Sequence, residues 1–202
     1  MEISYLSVGQ LATNCYLVSE EDSCVIIDPG ADADYITTSI LEKKLKPNAI
    51  LLTHAHFDHC LACLELKLNF DLPIYLHSLD LPLYRKAIRS ADHWTGESSL
   101  LLPNPDFNLE DQQTLKFDNL VFQVISTPGH TPGSVCFATD HSLFTGDTLF
   151  AHGIGRTDFS YSNEKDLKKS LKKINRLPGE TLIYPGHEDF AIPLSEALFH
   201  LS

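Results

Sequence analysis

A chain of 202 residues with 43% hydrophobic and 21% charged residues has enough apolar material for one sizeable core, and no linker divides it: a single domain over 1–202 is expected. Its net charge of −12, with the histidines neutral, argues against general nucleic-acid binding, which needs a basic footprint. No stretch approaches the ~20 apolar residues that span a bilayer, so no membrane partner is expected.

Met1-Glu2-Ile3-Ser4-Tyr5 opens without the basic and apolar pattern of a secretion signal. The five cysteines are odd in number and follow no regular framework, which fits reduced thiols and a cytoplasmic location. Ile3 to Val8, Asn14 to Val18 and Cys24 to Asp28 read as three strands of a meander. The third runs into Pro29-Gly30, which forces a turn and leaves Asp28 at a strand's C-terminal edge, where active groups collect in layered α/β proteins. A simple turn carboxylate is the plainer reading of Asp28. A helix is predicted over about Asp32 to Leu45, followed by Ala49-Ile50-Leu51-Leu52, a buried strand.

That strand delivers Thr53-His54-Ala55-His56-Phe57-Asp58-His59. Beyond it, Leu61, Leu64 and Leu68 recur at helical spacing over Cys60 to Asn69. In an extended segment His54 and His56 share a face; on a helix they would point to nearly opposite sides. Asp58 and His59, at the opening of the predicted helix, diverge from that pair, so one turn feeds two adjacent metal positions. Any one of these histidines alone would read as a surface residue, but the cluster on a strand-to-helix junction marks a metal site. Cys60-x-x-Cys63 lacks the second half of a zinc site and lies in the apolar phase of the helix, so both are read as small core residues.

Pro73 to His77 is a further short strand, with His77 a packing or strand-end histidine. The segment from Leu79 to Phe107 reads as a covering excursion or lid, with helix near Leu83 to Ser90 and then a loop; Tyr84, His93 and Trp94 are candidate substrate contacts or surface anchors. Leu115 to Phe117 and Leu120 to Ile125 flank Asp118-Asn119, a hairpin. In Ser126-Thr127-Pro128-Gly129-His130-Thr131-Pro132-Gly133-Ser134 two prolines and two glycines hold His130 at the centre of a rigid loop. Strands Val135 to Thr139 and Ser142 to Thr145 follow, the second ending in Gly146-Asp147. Glu164 to Asn175 is an amphipathic helix, Thr181 to Tyr184 delivers Pro185-Gly186-His187, and a short helix starts near Leu194.

The strand-end donors are thus His54, His56, Asp58, His59, His130, Asp147 and His187. Imidazole nitrogens with carboxylate oxygens suit zinc, iron or manganese rather than calcium or magnesium. A lone catalytic zinc usually takes three protein ligands plus water, so this set is too large for one open site and right for two ions with one bridging carboxylate. Two such ions make a hydroxide nucleophile near neutral pH, which points to metal-assisted hydrolysis.

Together with Ile27-Asp28-Pro29-Gly30, these motifs resemble the metallo-β-lactamase fold superfamily over nearly the whole chain. The resemblance implies an α/β, four-layer αββα sandwich with metals at one edge of two mixed sheets. It implies two divalent ions, zinc first, with iron or manganese as alternatives. His54, His56 and His130 would hold the first; Asp58, His59 and His187 the second; Asp147 would bridge, and Asp28 would orient the metal-binding loop. His-Thr-Pro-Gly-Ser, Gly-Asp-Thr-Leu-Phe and Gly153-Ile154-Gly155-Arg156-Thr157-Asp158-Phe159 are similar to short glyoxalase II-like hydrolases. The implied substrate is a small-molecule thioester, S-D-lactoylglutathione or a relative, attacked by a bridging hydroxide whose proton Asp58 orients. Arg156 would pair with a substrate carboxylate, or else form a structural ion pair.

Two features depart from the pattern: the chain ends soon after His187, where full-length glyoxalase II enzymes carry a helical region that contacts glutathione, and Leu61-Ala62 stands where Gly-Gly is common. The rival readings are a persulfide dioxygenase holding one iron on His54, His130 and Asp147, and a non-catalytic interaction module. A β-lactamase is disfavoured by the missing export signal, and a tRNA-processing nuclease by the acidic balance. The sequence assigns no oligomeric state.

Overall fold

The computed structural model describes residues 1–96 and 101–199. The first sheet holds β1 (Glu2–Val8), β2 (Thr13–Glu20), β3 (Ser23–Ile27), β4 (Lys46–Leu51), β5 (Ile74–Leu76) and β6 (Phe107–Asn108) in that order. Its first three strands are antiparallel; from β3 to β6 the pairing is parallel. The second sheet runs β12 (Ile192–Pro193), β11 (Leu182–Pro185), β10 (Ser142–Gly146), β9 (Val135–Ala138), β8 (Leu120–Ser126), β7 (Thr114–Phe117). Only its β10–β11 pair is parallel.

The inner strands β2, β3 and β10 are buried at consecutive positions, so with successive side chains pointing opposite ways they are covered on both faces, whereas β1, β7 and β8 alternate buried with exposed positions. From β2 and β3, Tyr16, Val18, Val25 and Ile27 meet Phe122, Val124, Phe137 and Phe144 of the other sheet in a shared core. Leu17, Ile26 and Ile50 instead face outward, onto α1 (Ala33–Glu42) and α2 (Cys63–Phe70) through Ile36, Ile40 and Leu66. On the far side Cys136, Leu143 and Ile183 pack on α5 (Glu164–Ile174) and α6 (Leu194–Phe199) through Ile174, Leu194 and Ala197. Three apolar seams make four layers: the αββα sandwich is what the chain forms. Removing a ring from the central seam, as in Phe144→Ala, would cost about 3–5 kcal/mol.

Two sequence expectations are corrected. The helix predicted from Cys60 begins at Cys63; Phe57–His59 is a separate 3-10 turn. The N–H groups of Leu61 and Ala62 explain this, since they donate to the carbonyls of Gly30 and Pro29 at 3.2 and 3.1 Å instead of closing a helical turn. In the excursion, α3 (Leu81–Tyr84) is followed by α4 (Ala87–Thr95), so Trp94 sits on a helix and not in a loop. Tyr84 is buried in the core, whereas Trp94 is exposed and edge-on to His93. The lid expectation falls partly on 97–100, outside the described residues. His77 caps the 3-10 turn Ser78–Asp80, its Nδ1 accepting from the Leu79 N–H at 3.2 Å. Among the described residues no helix is long and apolar enough to cross a membrane.

Candidate metal centre

The seven predicted donors lie beyond the C-terminal ends of strands, along one edge of the sandwich. His54 and His56 follow β4, and Asp58 and His59 ride the 3-10 turn. His130 sits between β8 and β9, Asp147 just after β10, and His187 just after β11. Open α/β sheets commonly place ligands in this crevice. Gly30 lets the 3-10 turn lie on the end of β3, since a Cβ there would overlap the Asp58 carbonyl. Gly186 does the same for Asp147, whose Oδ1 a Cβ would meet.

The donor atoms fall into a group of His54, His56, His130 and Asp147 and a group of Asp58, His59 and His187, each within 4.8 Å. In the first, His54 Nε2 is 3.1 Å and His130 Nε2 3.0 Å from His56 Nδ1, and Asp147 Oδ2 is 3.5 Å from His130 Nε2. In the second, Asp58 Oδ2 stands 3.5 Å from His59 Nε2 and 3.2 Å from His187 Nε2. Asp147 Oδ1 reaches this group too, 3.4 Å from His59 Nε2 and 3.8 Å from His187 Nε2. Ligands at ~2.0–2.2 Å around a tetrahedral ion stand roughly 3.3–3.6 Å apart, which is the range these spacings bracket.

The protons decide what the centre can take up. Asp28 accepts from the Thr53 N–H at 2.7 Å and the Thr53 hydroxyl at 2.6 Å. With its proton committed there, Thr53 Oγ1 can only accept from His54 Nδ1, 3.1 Å away. Asp28 also accepts from His59 Nδ1 at 3.0 Å. The carbonyls of Arg156 and Leu11 accept from His130 Nδ1 at 2.8 Å and His187 Nδ1 at 3.2 Å. Each of these rings carries a proton on its outer nitrogen, and its inner nitrogen faces the centre. His54 Nε2 and His130 Nε2 then confront His56 Nδ1, which has at most one proton to share between them. Anchored outer nitrogens of this kind are how proteins orient metal-binding imidazoles.

The second group is under-satisfied as well. His59 Nε2 and Asp147 Oδ1 are buried and make no hydrogen bond among the described residues. Buried polar atoms are rarely left so, and a cation between them would satisfy both. The residues present therefore fit divalent metal. A grouping of Asp28 with His54 and His59 also lies within 4.8 Å, but both Asp28 oxygens already accept hydrogen bonds.

Electrostatics divide the groups. Burial, then the neighbouring His59 and His56, hold His54 well below the ordinary histidine range, and burial and His130 hold His56 down to about 3. Burial would also lower His59, but Asp58, Asp147 and Asp28 override it and raise it well above its usual value. His187 is raised against burial by its bond to Asp58 and by Asp147. Burial would raise Asp58 and Asp147, yet His59 lowers both: Asp58 to about 2, helped by His187, and Asp147 well below the carboxylate range.

Arg156 points its guanidinium at Asp158, Nε to Oδ1 at 3.0 Å, and lies 4.7 Å above the Phe159 ring. Two contacts carry no local sequence signal. The Thr13 hydroxyl donates to Asp58 Oδ2 at 3.1 Å, and the Tyr161 hydroxyl lies 2.8 Å from His56 Nε2, its ring stacked on Phe159.

Comparison with known proteins agrees with this architecture. The model of the metallo-beta-lactamase superfamily matches residues 8–187. The hydroxyacylglutathione hydrolase GloC of Haemophilus influenzae is 34% identical over 196 residues, covering 94% of this chain and 92% of its own. Among solved structures, the BLEG-1 B3 metallo-beta-lactamase superposes with a TM-score of 0.90 at 33% identity, over 98% of this chain and 97% of that one. A di-iron-bound form of TTHA1623 gives 0.88 at 39% identity, over 96% of each chain.

Proposed function

The chain belongs to the metallo-beta-lactamase superfamily, and from that premise we propose that it is a two-metal hydrolase cleaving small-molecule thioesters in the manner of glyoxalase II. The similarity to GloC supports the substrate class. The observation that carries the reading is the pair of orphaned buried atoms, His59 Nε2 and Asp147 Oδ1, beside three imidazole nitrogens that share at most one proton. His54, His56 and His130 would hold one ion and Asp58, His59 and His187 the other. Asp147, with one oxygen toward each group, would bridge. Zinc is the first choice for this mixed nitrogen and oxygen set; the di-iron form of TTHA1623 makes iron the alternative. Bound there, divalent ions would supply Lewis acidity, bringing a coordinated water toward neutral pKa and polarising a carbonyl oxygen.

The rest falls to the chain's own residues. Asp58 is ionised at neutral pH, and Thr13 and His187 hold its Oδ2 in place. It is the group we assign to orient the attacking water's proton. Water adds to the thioester carbonyl, the carbon–sulfur bond breaks, and a carboxylic acid and a thiol leave. Asp28 keeps His59 and the Thr53 backbone in register. Arg156 would meet a substrate carboxylate by exchanging its partner Asp158 for it.

Metal analysis of the purified protein with a lactoylglutathione hydrolysis assay tests the reading. Two equivalents of metal with turnover support it. One iron with oxygen uptake on glutathione persulfide would replace it with the dioxygenase, and absence of metal would remove it.

A further inference from the structure

Asp80 ends the 3-10 turn after β5 and is fully buried. Its Oδ2 accepts from the Ala55 N–H at 3.0 Å and from the Thr131 hydroxyl at 2.7 Å. Its Oδ1 accepts from the Gly133 N–H at 2.6 Å. Ala55 is the residue between His54 and His56, while Thr131 follows His130 directly. One carboxylate thus joins the loop from the first sheet to the loop from the second at the residues flanking three imidazoles. Among the described residues no salt bridge compensates its charge. Burial raises its pKa against the pull of Thr131, Gly133 and Ala55. Folding works against an ion here, and its bonding partners all belong to the two metal-binding loops. A backbone bond, Val135 N–H to the Thr53 carbonyl at 2.9 Å, spans the same gap, but Val135 lies five residues beyond His130 and Thr131 directly follows it.

We propose that Asp80 is a positioning residue for the first metal position, holding His54 and His56 against His130 before any cation arrives. The inference rests on the two-metal reading above. It distinguishes Asp80 from Asp28, which anchors Thr53 and His59 from the other side. Supports of metal ligands typically carry about 10–100-fold in affinity, and because Asp80 acts through the backbone the lower end is expected.

The test is calorimetric and visible-absorption titration with Co²⁺ of Asp80→Asn and of the milder Thr131→Val, which removes one of the three bonds. Each is made in a His187→Ala background, which cripples the second position, and in a His56→Ala background, which cripples the first. Thermal unfolding of the metal-free proteins is measured alongside. We expect Asp80→Asn to weaken Co²⁺ binding about tenfold in the His187→Ala background and to leave it unchanged in the other, with Thr131→Val smaller in the same direction. Equal weakening in both backgrounds, or lost metal-free stability with unchanged affinity, would overturn the proposal. Should Asp80→Asn not fold, Thr131→Val decides alone. A parent protein that binds two Co²⁺ while the variants match it sinks only the role of Asp80; a parent that binds none sinks the hydrolase as well.

Discussion

Asp147 Oδ1 and His59 Nε2 face each other across 3.4 Å, both buried and neither hydrogen-bonded among the described residues. The other oxygen of Asp147 lies 3.5 Å from His130 Nε2, in the other group of donors. A single carboxylate common to both groups predicts that Asp147→Ala removes metal from both positions. Metal content should fall together at the two, and the proposed hydrolytic activity by at least ~100-fold. Loss of one equivalent with the other retained would show that Asp147 serves only one position.

The two positions should differ in how protons compete with metal. At pH 7 His54 and His56 are neutral, their pKa values lying well below that pH, so neither ring releases a proton on binding. His59 is raised well above the ordinary histidine value and His187 moves in the same direction, so binding at their position displaces the extra proton of His59. Affinity there should fall as pH drops below their raised values, by about tenfold per unit for each proton displaced. Calorimetry in buffers of different ionisation heat counts those protons. Equal release in the His187→Ala and His56→Ala proteins would contradict the assignment.

Tyr161→Phe keeps the ring stacked on Phe159 and removes only the oxygen beside His56 Nε2. Metal affinity at the first position should drop by roughly tenfold with thermal stability nearly unchanged. A large fall in melting temperature would make Tyr161 a packing residue instead.

The cysteines should be unreactive. All five are buried and unpaired by disulfide. Burial pushes the Cys24 thiol up to about 12 and Cys136 to about 11, and raises Cys15, Cys60 and Cys63 as well. Thiolate is the reactive form, so a raised value means slower labelling. Native protein at pH 8 should resist iodoacetamide, and all five should react after denaturation. Rapid native labelling of Cys60, beside His59, would show that the centre opens.

The convergence of the seven predicted donors was legible because each follows an apolar strand and lies within two residues of a glycine or another donor, which are local signals. Asp28 was legible for the same reason, from Pro29-Gly30. The start of α2 was not. Leu61 keeps helical periodicity, but its N–H is claimed by a carbonyl from another segment, and no periodicity reports that. The helix α4 shows the core only Ala87 and Ala91, small residues that mark a buried face weakly. Two-residue strands such as β6 and β12 have too few positions for alternation to register. Thr13, Asp80 and Tyr161 reach the centre from far along the chain, where nothing nearby distinguishes them from ordinary polar residues.

His187 is anchored to the carbonyl of Leu11, 176 residues earlier, by a bond that joins the loop after β1 to the loop after β11. During synthesis, His54, His56, Asp58 and His59 emerge while Asp147 and His187 have yet to be translated. Those four residues are only part of the proposed cage, which closes when β11 pairs with β10 and His187 reaches the Leu11 carbonyl. On the two-metal reading, uptake of metal would follow completion of the whole sandwich rather than accompany its first half.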